Sequence, residues 1–238
     1  MFIEGKNPVL EAINSNIKIK KIYIQDSLKS DFLDKIKKSK IAFEIKNKND
    51  MDKMSNTKHH QGIIAEIQDF QYSSIDDIIE YAKNKNEDPF ILILDGIEDP
   101  HNLGSIIRVA DCVGAHGIII GKNRCAQVSE TVYKTSAGAI NHTKLARVTN
   151  INYTIDDLKN KFFINVYATD ANGTNIYETN LTGPVALIIG SEGHGISQLT
   201  LKKSDKILSI PLKGKVNSLN ASVATSIVCY EILRQRLK

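Results

Sequence analysis

Three stretches of the chain combine glycine or proline with a few polar side chains, and each comes directly after a predicted apolar strand. They cover residues 95–104, 190–195 and 211–220. Glycine lets a ligand approach the backbone closely, and the N–H groups at a helix start can bind a carboxylate or a phosphate. Each stretch alone is compatible with an ordinary turn. Together the three stretches predict one ligand site formed by three turns.

Arg108 is the candidate for charge chemistry, because this chain uses lysine for nearly every positive charge and has only five arginines. A guanidinium presents a rigid fork of donors that lysine cannot replace. It can hold a phosphate or stabilise a developing negative charge on an oxygen. As a general base it is unsuitable, since arginine stays protonated in proteins. The alternative role is an ion pair on the helix surface with Asp111, three residues further on.

Four more polar residues lie in the three turns. Asn102 either caps the predicted helix or orients Arg108 or the substrate, and Glu192 either pairs with Arg108, binds a substrate ribose or is simply solvated. Ser218 and Asn220 precede the last predicted helix and are suited to cap it. Each of these residues therefore has a structural and a functional interpretation.

The histidines and cysteines do not form a metal-binding pattern. The six histidines show no HxxxH spacing, and the three cysteines are widely spaced and odd in number, as expected for reduced thiols. We therefore expect no metal site and no disulfide. Only His101 and His194 lie in the predicted turns, where a histidine could act as a base.

The composition is that of a globular protein, with 42% hydrophobic and 24% charged residues in 238. No apolar run approaches the roughly 20 residues that cross a bilayer. The first residues contain no basic leader followed by an apolar block, so we expect no secretory signal and a cytoplasmic protein.

The positive charge is concentrated in the first third of the chain. Residues 1–68 contain 13 lysines and 9 acidic residues, whereas residues 69–238 contain 18 basic and 18 acidic residues. Such a surface is suited to a polyanion. A solvated lysine-rich surface with no partner is the alternative.

Two α/β units are predicted. In the first, an Asn-Pro pair at 7–8 is typical of a helix cap followed by proline at the first helical position, and alternation predicts a strand at 19–25. A helix at 31–38 and strands at 41–45 and 62–67 complete it. We predict a domain over 1–70, a linker over 71–88 that contains an amphipathic helix, and a second domain over 89–238.

The second unit alternates short apolar strands with helices, which predicts a parallel sheet covered on both faces. The predicted strands cover 90–94, 117–120, 163–168, 185–189 and 207–210. The predicted helices cover 103–113, 130–136, 155–160, 196–203 and 221–236. Ligands of such sheets bind at the carboxyl ends of the strands, where the three turns lie.

Common nucleotide-binding fingerprints do not match. The glycines of residues 190–195 do not follow the GxGxxG order, and the sequence contains no GxxxxGK[ST]. A dinucleotide-dependent oxidoreductase and a P-loop NTPase are therefore disfavoured.

The three turns resemble the sequence motifs of a known enzyme family. Residues 99–108 (DPHNLGSIIR), 189–195 (IGSEGHG) and 210–224, with IPL and SLNASVA, are similar to the three motifs of the SpoU/TrmH RNA ribose 2′-O-methyltransferases. Residues 5–12 (GKNPVLEA) and 60–65 (HQGIIA) resemble the substrate-binding domain of the RlmB branch, which methylates a guanosine ribose in 23S rRNA.

The resemblance implies a fold and partners. The fold is a SPOUT α/β parallel sheet with a C-terminal trefoil knot, preceded by a small α/β substrate-binding domain. The methyl donor is S-adenosylmethionine, the RNA partner is 23S ribosomal RNA, and the active form is a homodimer. Neither a membrane nor DNA is an expected partner.

The resemblance also implies roles for individual residues. The residues of the methyl-transfer site are Arg108, Asn102, Glu192, Ser218 and Asn220. The residues that hold the methyl donor are Thr169, Gly190, Gly195, Ile210 and Leu219. Thr169 is placed there because it follows the predicted strand that ends at residue 168.

We therefore predict 2′-O-methylation of a guanosine ribose in 23S rRNA. A tRNA ribose methyltransferase of the same family is one alternative, and an RNA-binding factor without transferase activity is another. The third alternative, a nicotinamide-dependent oxidoreductase, lacks its phosphate-binding loop.

Overall fold

The computed structural model describes residues 2–14, 18–28, 30–55, 58–215 and 218–237. The chain forms two compact units, residues 1–71 and 72–238. Residues 72–88, predicted as most of a linker, belong to the second unit. The reason is that Ile78 and Ala82 of this segment are fully buried.

The first unit is a four-stranded mixed sheet with helices. Its strands are β1 Phe2–Glu4, β2 Ile19–Gln25, β3 Phe43–Lys46 and β4 Ile63–Ile67, in the order β1-β4-β2-β3. Strand β4 is antiparallel to β1 and β2, and β3 is parallel to β2. The helices are α1 Lys6–Asn14, α2 Ser30–Lys38 and α3 Lys48–Met54.

The first unit differs from the sequence prediction at three places. Strand β1 and helix α3 were not predicted, and helix α1 begins at Lys6, so Asn7 lies inside the helix and does not cap it. The turn before α1 is made by Gly5 at φ +96°, and the Lys6 N–H donates to Gln61 Oε1 at 3.1 Å. This distant glutamine satisfies a helix-start donor that the sequence assigned to a cap.

The second unit contains a six-stranded sheet in which all neighbouring strands are parallel. The strands are β5 Phe90–Asp95, β6 Gly117–Gly121, β7 Leu145–Val148, β8 Asn165–Asn175, β9 Val185–Gly190 and β10 Lys206–Ser209. Their order is β10-β8-β9-β5-β6-β7. Strand β5 is buried from Phe90 to Leu94, which explains its continuous apolar run.

Six α-helices accompany this sheet in the described part of the unit. They are α4 Ile75–Asn84, α5 Pro100–Cys112, α6 Glu130–Thr135, α7 Ile151–Asn160, α8 Gln198–Lys203 and α9 Ala221–Arg236. Strands β6 and β7 follow β5 on one side of it. The chain then crosses over, and β8, β9 and β10 lie on the opposite side of β5. The order thus reverses between β5 and β9, and the crevice at such a switch point is where ligands of parallel sheets bind.

Three details of the second unit differ from the prediction. Strand β7 was not predicted, and β8 continues to Asn175, so Thr169 lies within a strand and not after one. Helix α5 begins at Pro100 and is capped by Asp99, whose side chain accepts from the His101 N–H at 2.9 Å. Asn102 therefore lies in the first turn of the helix and is not its cap.

The predicted fold class is confirmed as a mixed α/β protein with a parallel sheet. The trefoil knot stays a prediction. Within the described part of the chain, every helix is too short or too polar to cross a bilayer.

Candidate active site

The three turns follow β5, β9 and β10, which all end at the carboxyl edge of the parallel sheet. Asn220 begins helix α9 as its cap, as predicted. Its Oδ1 accepts hydrogen bonds from the Ser222 N–H at 3.0 Å and the Val223 N–H at 3.2 Å. Because Asn220 Oδ1 caps the helix, its Nδ2 group can donate hydrogen bonds to residues of the other two turns.

Asn102, Glu192 and Asn220 form one hydrogen-bonded group, here called the amide–carboxylate cluster. Asn102 donates from Nδ2 to Glu192 Oε1 at 3.0 Å, and Asn220 donates from Nδ2 to Asn102 Oδ1 at 3.0 Å. Asn220 Nδ2 also donates to Glu192 Oε1. The cluster thus holds the three predicted turns together.

Glu192 is the common acceptor of the cluster. Its Oε1 also accepts from the Ala221 N–H at 3.3 Å, in the first turn of α9. A carboxylate at this position is favoured by the partial positive charge of the helix start. The other oxygen, Oε2, accepts no hydrogen bond from the described residues.

A cavity of about 230 Å³, the small cavity, lies next to the cluster. All five residues predicted to hold the methyl donor line it: Thr169, Gly190, Gly195, Ile210 and Leu219. Ser218 and Glu192 also line it. The structure therefore brings the predicted donor-binding residues together and places them beside Glu192 and Ser218 of the predicted methyl-transfer group.

A tight hairpin over residues 191–195 forms part of the small cavity and is called the 191–195 hairpin. Ser191 and Gly195 bond each other in both directions, at 3.2 and 2.9 Å. A Cβ atom added to Gly190 would overlap the Gly195 carbonyl carbon and the Ile196 nitrogen. Glycine at position 190 is thus required for the hairpin to approach the end of β9.

A second cavity of about 720 Å³, the large cavity, lies at the carboxyl ends of β5, β6 and β7 and reaches the same hairpin. Ser191, Glu192 and Gly195 line both cavities. The 191–195 hairpin is therefore a wall that the two cavities share.

Arg108 is exposed on helix α5 and does not belong to the cluster. Among the described residues it forms neither a hydrogen bond nor an ion pair, so the predicted pair with Asp111 is not formed. The suggested pair with Glu192 is not formed either: the asparagines and the Ala221 N–H donate to Glu192 Oε1, and Arg108 does not contact Oε2. At about 100° per residue, Arg108 lies about 120° around the helix from Asn102, which turns it away from the cluster.

The two histidines of the turns, His101 and His194, form hydrogen bonds through their main-chain N–H groups. The His101 N–H donates to Asp99 Oδ1, and the His194 N–H donates to Ser191 Oγ at 3.2 Å. Both side chains are exposed. The described residues contain no group of three or more histidine, cysteine or acidic side chains that could hold a metal.

Most residues of the large cavity were not predicted from the sequence. Asn123 and Arg124 follow β6, while Asn150 and Asn152 follow β7. Strand β7 was not predicted, so the turn after it was not considered as part of a site. The Asn150 cap of α7 is the local pattern that could have found it.

Comparison with known proteins agrees with this geometry. The sequence model of the SpoU rRNA methylase family matches residues 89–230. The model of the RNA 2′-O ribose methyltransferase substrate-binding domain matches residues 2–73. The chain belongs to the SpoU/TrmH family of RNA methyltransferases.

Individual SpoU/TrmH relatives match nearly the whole chain. A Bacillus subtilis protein named as a TrmH family tRNA/rRNA methyltransferase, YacO, is 42% identical over 241 residues, covering 99% of this chain and 96% of its own. The predicted family is thus confirmed, while a closer relation to the RlmB branch stays a prediction.

Solved SpoU/TrmH structures share the fold. The SpoU methyltransferase AviRb from Streptomyces viridochromogenes, solved in complex with AdoMet, has a TM-score of 0.79 and 23% identity, covering 100% of this chain and 91% of AviRb. The TrmH/SpoU tRNA modifying enzyme from A. aeolicus has a TM-score of 0.58 and 26% identity, covering 67% of this chain and 84% of its own.

Proposed function

We propose that this protein methylates the 2′-oxygen of a guanosine ribose in 23S rRNA, with S-adenosylmethionine as the methyl donor. One observation carries the proposal: the small cavity contains all five predicted donor-binding residues and shares Glu192 with the amide–carboxylate cluster. A donor in this cavity would lie beside the residues predicted to act on the acceptor. The family's substrate-binding domain, matched over residues 2–73, supports the ribose as acceptor.

The lining of the small cavity fits an adenosyl group. Leu208, Ile210, Leu212 and Leu219 provide apolar contacts for a ring, while Thr169 lies within β8 and Gly190 ends β9. The Thr169 hydroxyl donates to the Ile188 carbonyl at 3.1 Å and is thereby fixed. When bound, S-adenosylmethionine supplies a methyl carbon attached to a positively charged sulfur.

The residues of the chain position the acceptor and stabilise its charge. The 2′-oxygen forms a bond to the methyl carbon as the carbon–sulfur bond breaks, and the hydroxyl proton leaves to water. Arg108 remains protonated and stabilises the negative charge that develops on the oxygen, or holds the adjacent phosphate. The cluster holds the three turns in the arrangement that in-line attack requires.

A homodimer is part of this proposal. Val223, Tyr230 and Leu237 are 47%, 53% and 77% exposed and lie seven residues apart, so they share one side of α9 and its end. An exposed apolar stripe of this kind is suited to a second copy of the chain. Arg108 on the exposed surface of α5 would then act in a site completed at the subunit interface.

The first unit is proposed to bind the RNA. Lys35, Lys37 and Lys38 are exposed in the last turn of α2. Lysines on such a surface contact phosphates without reading the sequence. We expect the protein to act in the cytoplasm. Its substrate is expected to be RNA and not DNA, because the 2′-hydroxyl is itself the methyl acceptor.

Three alternative functions differ in how well they fit these observations. The relative from A. aeolicus is named as a tRNA modifying enzyme, so a tRNA ribose is the second candidate acceptor. A factor that binds RNA without transfer is less consistent with the intact cluster and Arg108. A nicotinamide-dependent enzyme is disfavoured by the missing fingerprint.

The deciding experiment uses tritiated S-adenosylmethionine with 23S rRNA and tRNA, each isolated from cells that lack the protein. We expect label in 23S rRNA, and mass spectrometry should locate it on the ribose of a guanosine. Label only in tRNA would favour the second candidate. Donor binding without transfer to either RNA would contradict the proposed activity.

A further inference from the structure

We propose that the large cavity binds the guanine base of the acceptor nucleotide. This inference rests on the proposed function, since it assigns the recognition of that same substrate. The cavity and the small cavity share the 191–195 hairpin as a wall. A base on one side of this wall would place its own ribose beside Glu192 and the donor on the other side.

The cavity has the shape and surface of a site for a flat ring. Its volume of about 720 Å³ lies within the range of small-molecule sites. Gly96 and Gly121 provide side-chain-free surface, and Ile97 and Ile151 provide apolar contacts. Ile97 is only 3% exposed, so it belongs to the floor of the cavity.

The charges of the lining disfavour a phosphate in the interior. Asp95, Glu98, Asp99 and Glu192 line the cavity, against Arg124 as the only lysine or arginine in the described lining. A bare metal ion is not indicated either, since these carboxylates do not form a metal-binding group among the described residues. A neutral ligand that carries N–H donors fits such a surface.

Asp95 is the acceptor that would select guanine. It ends the buried strand β5 and is itself half-buried. Its Oδ2 accepts from the Ser197 N–H at 3.2 Å, while Oδ1 accepts nothing from the described residues. Guanine carries N1–H and the N2 amino group side by side, two donors that a carboxylate can accept, whereas inosine lacks the amino group.

Two asparagine amides complement this carboxylate. Asn150 Oδ1 is used by the Asn152 and Tyr153 N–H groups, and Asn152 Oδ1 accepts from Thr200 Oγ1 at 3.4 Å. With their oxygens engaged, both amides have Nδ2 donors for a carbonyl oxygen such as guanine O6. The lining thus combines an acceptor for the amino edge with donors for O6.

The turn after β6 is held in place as one side of the cavity. Gln127 donates from Nε2 to the Gly121 carbonyl at 3.1 Å and to the Cys125 carbonyl at 3.0 Å. Between them, Arg124 has a φ of +53°, a conformation that costs energy for a non-glycine residue. Its exposed guanidinium lies at the cavity edge, where the phosphate of a bound nucleotide would be.

The test compares Asp95→Asn with Asp88→Asn. The first change exchanges the available acceptor for an amide that can still accept from Ser197 through its oxygen. The second makes the same change at Asp88, an exposed residue just before the start of β5. Seven residues of extended chain separate it from Asp95, a distance of about 20 Å. Binding of guanosine and inosine is measured by NMR titration in the presence of S-adenosylhomocysteine.

We expect wild type and Asp88→Asn to bind guanosine about tenfold more tightly than inosine. Asp95→Asn should lose most of this preference while its melting temperature and donor affinity stay unchanged. Equal binding of the two nucleosides by wild type would overturn the proposal. The same preference in Asp95→Asn as in Asp88→Asn would overturn it as well.

Failure of this inference is separable from failure of the proposed function. Methyl transfer to 23S rRNA is measured with wild type and with Asp88→Asn. If both transfer methyl while Asp95→Asn keeps the nucleoside preference, only the guanine pocket is rejected. If neither transfers methyl to any RNA, the proposed activity is rejected whatever the nucleoside binding shows.

Discussion

Asn220 donates a hydrogen bond from Nδ2 to Asn102 Oδ1 at 3.0 Å, joining residues that are 118 positions apart in the chain. The same Nδ2 donates to Glu192, which Asn102 also contacts. Each asparagine therefore links its own turn to the other two. Side-chain hydrogen bonds thus join the three turns directly to one another.

Replacing Glu192 by alanine should lower methyl transfer about 100-fold, because the acceptor shared by two amides and the α9 start is lost. Glu192→Gln keeps an oxygen acceptor and should retain more activity. The measurement is single-turnover transfer of tritiated methyl. Glu11→Ala, an exposed glutamate of the first unit, is the control. Equal rates for the alanine variant and wild type would contradict the role of the cluster.

Arg108→Ala should abolish detectable transfer while leaving donor binding close to that of wild type. The side chain is exposed and contacts no described residue through a hydrogen bond or ion pair, so its loss should not destabilise the fold. Arg108→Lys keeps the charge without the planar fork and should recover only part of the rate. Donor titration by calorimetry and thermal melting serve as controls. Near-normal turnover of the alanine variant would reject the assigned role.

Changing Lys35, Lys37 and Lys38 together to glutamate should weaken RNA binding, with little effect on donor affinity. Loss of up to three phosphate contacts should reduce the salt slope of log K by about 0.7 to 0.9 per contact. Filter binding at several salt concentrations measures both quantities. Lys83, Lys202 and Lys206, exposed in the second unit, provide a charge-matched control. An equal loss in both triple variants would indicate an effect of net charge alone.

The stability of the second unit should decrease as the pH falls below about 6.5. His116 is 1% exposed, and its Nδ1 accepts from the Phe90 N–H at 2.9 Å, which fixes the neutral ring. Burial lowers the pKa of His116 below its usual 6.5, against the opposing effect of Glu87. The unfolded chain therefore takes up the proton first, and acid favours unfolding.

Replacing His116 by asparagine should flatten this pH dependence, since Asn can accept from Phe90 without titrating. Urea unfolding of wild type and variant between pH 5 and 8 measures the difference. An identical dependence of the free energy of unfolding on pH in both proteins would show that His116 does not contribute.

Local patterns predicted those parts of the fold that depend on neighbouring residues. The continuous apolar runs predicted β5, β6 and β9, and the short polar side chain before α9 predicted the Asn220 cap. Strands β1 and β7 have only three and four residues. Runs this short show no clear periodicity, and their formation depends on pairing with distant strands.

The arrangement of the site was predictable only in part. The three turns were identified because each follows an apolar strand of the same sheet. The hydrogen bond between Glu192 and Asn102 was not predicted, because the direction of a side chain on a helix depends on where the helix begins. With Asp99 as the cap, Asn102 faces Glu192 and Arg108 faces elsewhere.

The wall of residues 191–195 has a consequence for how the two ligands influence each other. Any shift of these five residues that accompanies binding on one side changes the surface offered on the other. If donor and acceptor bind as proposed, their affinities are then linked, and the factor by which one changes the other is the same in both directions. In the proposed complex, this coupling would pass through a single short loop.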